Sequence, residues 1–419
     1  MTSLRNWAGN VTFRPDALHQ PSSVDELRGM VAEAESVHAL GTGHSFSAVA
    51  DSPGILVSTA GLPSGIEIDP DTSRVTVSGG VRWGELAPVV DAAGYALHNM
   101  GSLPHISIAG SAATGTHGSG NHNGCLATAV SGLELVTAAG DLLQLRRGDP
   151  RFDGAVVALG SLGVVTRVSL DLQPTYAVRQ VVYDGLSWAS AIEHLGEVLA
   201  SAYSVSLFTR WSGDGFEQVW VKDRVDDGTE PVDLAWTGAV RAVGPRHPVP
   251  GASPECCTDQ DAAPGPWYAR LPHFRLEFTP SSGEELQTEY LLPIRHGAAA
   301  LEALERIRDR IAPVLQISEI RTVAADGLWL SPCYARDSIA IHFTWVPDLE
   351  AVRPVVALVE AALAPFAARP HWGKVFGTEP SSVAEQYERL PDFRQLAADL
   401  DPDGKFRNAF VDRYVLDER

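Results

Sequence analysis

The sequence predicts an α+β protein of two domains. At 419 residues the chain exceeds one average domain. Apolar residues make up 45 %, enough for extensive cores, and charged residues 20 %, too few for a disordered chain. Short strands and helices follow one another without regular βαβ alternation, which disfavours a doubly wound parallel sheet.

Ser23-Val24-Asp25-Glu26 is a capping box, and Val24, Leu27, Met30, Val31 and Ala34 form an apolar helical face behind it. The apolar run Val37-His38-Ala39-Leu40 reads as a buried strand, and Ile55-Leu56-Val57 as another. Between them lies Gly41-Thr42-Gly43-His44-Ser45-Phe46, a turn that can approach a ligand closely or cradle a phosphate on its N–H groups. It lacks the third glycine and the following helix of a dinucleotide fingerprint. Taken alone it is equally well an ordinary strand-to-strand turn.

Arg74-Val75-Thr76-Val77 follows a turn at residues 69–73 and implies a hairpin. A helix is expected from Trp83 to Ala93, closed by Gly94. A second hairpin is expected over Leu133–Thr137 and Leu142–Leu145, then a strand over Val164–Leu172 that stops before Pro174. Residues 101–120 carry no charge and few large side chains. Such a buried segment, rich in hydroxyls and free N–H groups, suits a flat polyanionic ligand.

Beyond Pro174 the glycine-rich character fades. Strands are expected at Ser204–Trp211, Phe216–Lys222, Phe274–Phe278, Glu289–Ile294, Gln316–Val323 and Ser338–Trp345. Helices are expected at Ala298–Ile311 and Leu349–Leu363, and residues 223–271 read as a surface excursion. This pattern implies an antiparallel sheet flanked by helices. Alternation along a strand puts Ile317, Glu319, Arg321 and Val323 on one face, and likewise Ala340, His342 and Thr344. On residues alone, that face is either solvated or a polar binding wall. His371-Trp372-Gly373-Lys374 follows Pro370 and reads as a bend.

The formal charge of −20 disfavours nucleic acid, phospholipid and polyanionic substrates and fits a neutral one. Cys125, Cys256, Cys257 and Cys333 suggest neither a disulfide framework nor a zinc spacing, and no metal is expected. With no signal-peptide core and no run of transmembrane length, the expectation is a soluble cytoplasmic protein with no membrane partner.

Several motifs together resemble the vanillyl-alcohol-oxidase (PCMH-type) family of flavoproteins. They are Gly-Thr-Gly-His-Ser-Phe at 41–46, Gly79-Gly80-Val81-Arg82-Trp83-Gly84-Glu85-Leu86, the segment 101–120 and Gly160-Ser161-Leu162-Gly163-Val164-Val165-Thr166. Asp401-Pro402-Asp403-Gly404-Lys405-Phe406-Arg407-Asn408 resembles the closing motif of its sugar-oxidising branch, and the likeness to the alditol-oxidising members extends over essentially the whole chain.

The resemblance implies an FAD-binding domain over 1–173, a substrate (cap) domain over 174–370, and a return of 371–419 to the first domain. It implies FAD bound covalently through His44 and contacted by Gly41, Thr42, Gly43, Ser45, Ser102, Ser107, Gly110, Thr114, Gly115, Thr116, His117, Val165 and His371. It implies a substrate wall of Ser102, Glu319, Arg321, Thr344 and Lys374, with Arg321, Lys374 and His342 taking part in the chemistry. The implied reaction oxidises the terminal alcohol of an acyclic polyol such as xylitol or sorbitol to the aldose, with oxygen reduced to hydrogen peroxide. A monomer is the expected state. Gly101, just before Ser102, would leave oxygen an open approach to the flavin. A sugar-1,4-lactone oxidase or dehydrogenase of the same fold, and a non-catalytic flavin or sugar-binding protein, remain alternatives.

Overall fold

The structure is a computed structural model that describes residues 4–225, 230–278 and 283–416. Residues 1–3 of the expected leaderless start, and 226–229 of the expected excursion, lie outside the described residues.

Two sheets of three and five strands make up most of the N-terminal part, beside a two-stranded pair of Tyr95–Ala96 with Gln173–Pro174. Strands β1 (Ala17–His19), β2 (Val37–Ala39) and β3 (Ile55–Val57) form a parallel sheet in the order β1-β3-β2. Helix α1 (Val24–Glu33) leads into β2; Ser23 Oγ accepts from Glu26 N at 3.2 Å, and the Glu26 carboxylate accepts from Ser22 N at 2.8 Å. Leu27 and Val31 of α1 pack with Val37 and Val57, as the helical periodicity demands. The second sheet is antiparallel, in the order β4-β5-β8-β6-β7, with β4 Ile66–Asp69, β5 Arg74–Ser78, β6 Val130–Val136, β7 Leu142–Arg146 and β8 Val164–Asp171. Helix α2 (Trp83–Ala92) ends at Gly94, whose φ is +85°. Inside the small-residue segment a short helix, α3 (Ile108–Ala113), forms.

The second part is built on one nine-stranded antiparallel sheet. Its long strands are β9 (Ala177–Ser187), β10 (Ser204–Thr209), β11 (Gly215–Val225), β12 (Leu286–Pro293), β13 (Leu315–Val323) and β14 (Ser338–Trp345). They stand in the order β9-β11-β10-β13-β14-β12, and β15 (Arg369–Pro370) closes the β12 edge. One face, with Tyr290, Leu292, Ile320, Ile339, Ile341 and Phe343, packs on α4 (Trp188–Glu193), α5 (Leu195–Leu199), α6 (Gly297–Glu305) and α8 (Leu349–Leu363). The opposite face carries the polar residues. Asp348 caps α8 by accepting from Glu350 N and Ala351 N, both at 3.1 Å.

Two expectations need correction. Phe274–Phe278 is not a strand: only Phe274 bridges, to Cys257, and the rest turns. Its apolar alternation has another use, because Leu276 caps Gly84, where an added Cβ would lie 2.4 Å from Leu276 Cδ1. The helix expected over Ala298–Ile311 is two pieces, α6 and α7 (Arg308–Ile311). Between them Ile307 N and Arg310 N make tighter i→i+3 bonds, to Leu304 O and Ile307 O. β9 and the helices after it gave no signal in the sequence. Polar residues are buried there instead of alternating: Gln180 is fully buried and bonds to Thr258 and Asp259.

The C-terminal segment ties the two parts together. Residues 371–375 run beside β12, with His371 N bonding Glu289 O at 2.9 Å and Val375 N bonding Gln287 O at 2.8 Å. The same segment reaches the glycine turn, where Phe46 N bonds Gly373 O at 2.7 Å. Further on, Lys405 Nζ donates to the carbonyls of Val31, Ala32 and Ala138. No helix among the described residues is long and apolar enough to cross a membrane.

Candidate active site

The polar face of the nine-stranded sheet and the glycine turn border one cavity of about 560 Å³. At one end stand Gly41, Thr42, Gly43, His44 and Ser45, with Ser107, Gly110, Thr114, Thr116 and Val165 nearby. At the other stand Ser102, Gln287, Glu289, Glu319, Arg321, His342, Thr344, His371 and Lys374, with His117 and Gly101 also in the wall. Of the expected site residues, Gly115 alone is not in this wall; it turns with φ +68° and packs towards Pro332.

The turn owes its shape to two glycines. Gly43 has φ +69°, where a side chain is strained. At Gly41 an added Cβ would lie 2.7 Å from Ser107 Oγ, so glycine lets the turn lie against the start of α3 without displacing that hydroxyl. His44 stacks on Trp7, with ring centroids 5.2 Å apart and an interplanar angle of 23°. Its Nδ1 is buried without a hydrogen-bond partner in the protein. Burial, with His105 and Lys374 adding to it, lowers the His44 pKa to about 4. The turn therefore presents an unprotonated ring nitrogen into a cleft lined by glycine and small side chains. These features fit a flavin.

The other end is organised on sheet register. Glu289 of β12, His342 of β14 and Glu319 of β13 lie directly opposite one another across the sheet. Glu289 Oε1 accepts from Arg321 Nη2 at 2.7 Å and lies 3.2 Å from His117 Nε2; Oε2 is 3.8 Å from His342 Nδ1. Burial pushes this carboxyl up, but His117 and Arg321 outweigh it and hold it well below the usual range. Arg321 Nη1 reaches Ser102 Oγ at 3.3 Å, and Arg321 Nε lies 3.5 Å from Glu319 Oε1. Burial opposes ionisation of Glu319 as well, and Arg321 and His273 keep it low.

His342 Nε2 pairs with Thr344 Oγ1 at 3.1 Å, and burial lowers the His342 pKa. Lys374 Nζ donates to Gln287 Oε1 and sits 5.2 Å from the Phe46 ring centroid. Burial lowers its pKa from the usual lysine value. Burial likewise lowers that of His371, to about 3, and its Nδ1 accepts from Gly373 N at 3.0 Å.

The face carrying Glu319, Arg321, His342 and Thr344 is thus buried and not solvated; each of the four is less than 10 % exposed. Sequence reasoning missed Gln287, Glu289 and His273. For the first two a signal existed, since Gln287 and Glu289 alternate on a strand as Glu319 and Arg321 do. No metal was expected, yet His247, Cys256 and Cys257 place potential ligand atoms within 4.8 Å of one another. In this structure His247 Nδ1 is occupied by Val249 N at 3.0 Å, and burial raises the pKa of the Cys257 thiol.

Fold and site together define an FAD-binding oxidoreductase of the vanillyl-alcohol-oxidase type, and comparison with known proteins agrees. A family described as FAD binding domain matches residues 15–146, and one described as D-arabinono-1,4-lactone oxidase matches 283–414. A protein named alditol oxidase, from Streptomyces sp. (strain IKD472 / FERM P-14339), is 52 % identical over 419 residues, covering 99 % of each chain. An L-gulono-1,4-lactone dehydrogenase of Mycobacterium tuberculosis (strain ATCC 25618 / H37Rv) is 30 % identical over 431 residues, covering 98 % of each. The solved structure of a cholesterol oxidase from B. sterolicum superposes with a TM-score of 0.78 at 14 % identity, over 99 % of this chain and 96 % of that one; this likeness concerns the fold. The chain belongs to the alditol oxidase family.

Glu289 is a carboxylate that Arg321, His117 and His342 all face. Glu289→Ala leaves Arg321 buried beside an emptied site, and is expected to cost about 3–5 kcal/mol. A thermal melt of the holoprotein checks this, with a midpoint several degrees below wild type as the expected result.

Proposed function

We propose that this protein is an FAD-dependent oxidase that converts the terminal primary alcohol of acyclic polyols, alditols such as xylitol and sorbitol, to the aldose. The observation that carries the reading is the buried row Glu289–His342–Glu319 with Arg321 and Lys374, facing the same cavity as the His44 turn. The 52 % identity to a protein named alditol oxidase supports the same substrate class. When bound, FAD supplies the acceptor for the carbon-bound hydride and the route for electrons to oxygen, which becomes hydrogen peroxide.

The chain's own residues hold the polyol and manage its hydroxyl proton. Gly41, Thr42, Gly43, Ser45, Ser107, Gly110, Thr114, Thr116, His117, Val165 and His371 hold the cofactor, Gly115 only turns the backbone between two of them, and His44 bonds to it covalently. Ser102, Glu319 and Thr344 bind the polyol's further hydroxyls. Arg321 and Lys374 favour the developing alkoxide, as preorganised cations in a dry site do. Arg321 is aimed by its bond to Glu289, and Lys374 by Gln287. His342, whose pKa is lowered by burial, takes the hydroxyl proton. Glu289, 3.8 Å from its Nδ1, stabilises the imidazolium that results. Residues 1–173 with 371–419 form the flavin-binding unit and 174–370 the substrate unit, and one copy of the chain suffices.

A second reading, a sugar-1,4-lactone oxidase or dehydrogenase, is favoured by the family match over 283–414. Peroxide release from alditols, aldonolactones and simple alcohols decides between them; activity confined to lactones rejects the alditol reading. Bleaching of the visible flavin bands by xylitol under argon excludes a mere binder.

Acid-precipitated protein is expected to stay yellow, with the flavin mass on the tryptic peptide containing His44; full release of FAD to the supernatant would contradict this. Arg321→Ala and Lys374→Ala are expected to lower kcat more than they raise KM, with about tenfold lost per ~1.4 kcal/mol of transition-state stabilisation. A change in KM alone would reassign both residues to ground-state binding. Gly101 has no positive φ, and a Cβ there would make only ordinary contacts at 3.8 Å, so its backbone does not require glycine. Gly101→Val is therefore expected to fold, to bleach normally with xylitol under argon, and to react more slowly with oxygen in stopped flow.

A further inference from the structure

Lys222 lies on β11, outside the residues that line the cavity, and is only 1 % exposed. A lysine is almost never so buried unless its charge is met. Its Nζ faces Leu271 O at 2.5 Å, Pro272 O at 3.2 Å and His273 Nδ1 at 3.1 Å. An ammonium has three hydrogens to give and no lone pair to accept with. Three donors thus match three acceptors, with His273 Nδ1 as the accepting nitrogen. The ring proton then sits on Nε2, which stands 2.7 Å from Glu319 Oε1. The ring cannot easily swing away, because Phe208 and Trp220 stand edge-on to it at centroid distances of 5.6 and 5.1 Å.

We infer that Lys222 and His273 are positioning residues that hold Glu319 ready for a substrate hydroxyl. The inference rests on the reading above, in which Glu319 binds the polyol. His273 and Arg321 both gather on Glu319 Oε1. That leaves Oε2 to accept from the polyol. Lys222 acts at one remove, by fixing which His273 nitrogen carries the proton. Without it His273 can reverse its tautomer, and Nε2 would then turn a lone pair on the carboxylate.

A purely structural role, pinning residues 271–274, would explain two of the three Lys222 bonds. That segment has other ties, however. Thr258 Oγ1 donates to Pro272 O at 2.8 Å, Thr258 N to His273 O at 2.9 Å, and Phe274 N to Ser102 O at 3.3 Å. Nor would pinning account for the aligned bond from His273 to Glu319.

The test is a double-mutant cycle on the flavin-loaded enzyme with xylitol. Lys222→Met is expected to raise KM by about tenfold and leave kcat within about twofold. Added to Glu319→Gln it is expected to raise KM by less than about twofold more, because both changes act on one contact. Effects that multiply in the double variant, or an unchanged KM in Lys222→Met, overturn the inference. If Lys222→Met does not load flavin, His273 decides. His273→Gln keeps a donor towards Glu319 and should hold KM within about threefold, whereas His273→Leu should raise it about tenfold. Equal impairment of the two overturns the inference. A wild-type enzyme that forms no peroxide from any alditol rejects the earlier reading and this one with it; activity in the wild type with an unmoved Lys222→Met rejects this one alone.

Discussion

The burial of Glu289 is the constraint on which the rest of the site depends. A carboxylate 2 % exposed in the middle of a sheet is costly unless charges and donors surround it. Here the partners come from three places in the chain: Arg321 from β13, His342 from β14 and His117 from the small-residue segment. His117 belongs to the flavin-side part, and the other two to the nine-stranded sheet. The carboxylate therefore couples the two parts electrostatically. It also aims Arg321, taking the shortest of that side chain's contacts, at 2.7 Å against 3.3 Å to Ser102 and 3.5 Å to Glu319. Segment 371–375 adds a second tie, since it bonds to β12 through His371 and Val375 and to the glycine turn through Gly373.

Much of this was legible because alternation along a strand is strict. Spacing puts Glu319 and Arg321 on one face of their strand and His342 and Thr344 on one face of theirs, and the pairing of β13 with β14 brings the two pairs together. The cap at Ser23 and the stop at Gly94 were equally plain, since each is a local chemical signal. Local signals fail where tertiary contacts satisfy the polar groups. β9 looks unlike a strand because Gln180 is buried against Thr258 and Asp259. Phe274, Leu276 and Phe278 alternate like a strand, yet Leu276 serves to cover Gly84. The break at Arg306 and Ile307 was hidden because Leu304 and Ile311, on either side of it, are both fully buried.

The site was legible in the same uneven way. The glycine turn and the two late strands carry patterns that point to a ligand. Glu289 had a pattern too, but its importance comes from register: only pairing of β12 with β14 sets it opposite His342. Lys222 and His273 had no pattern. Lys222 directly follows the apolar run Val219, Trp220 and Val221, and its partner is 51 residues away in a stretch without regular structure.

The two faces of the nine-stranded sheet are under different physical demands. On the helix side, Ile320, Ile341 and Phe343 need only volume and shape, and apolar residues of similar size can exchange there at modest cost. On the cavity side each charge is defined by its neighbour, so Arg321, Glu289, Glu319 and His273 can change only together. A family that turns from polyols to lactones can therefore keep the helix side almost untouched while rebuilding the wall as a unit. The acidic exterior is consistent with this separation. A net charge of −20 repels anionic solutes, while the cations of the cavity wall, Arg321 and Lys374, are buried and balanced locally by Glu289, Glu319 and the Gln287 amide oxygen. A neutral polyol pays nothing to approach such a surface, and meets strong electrostatics only after water has been left behind.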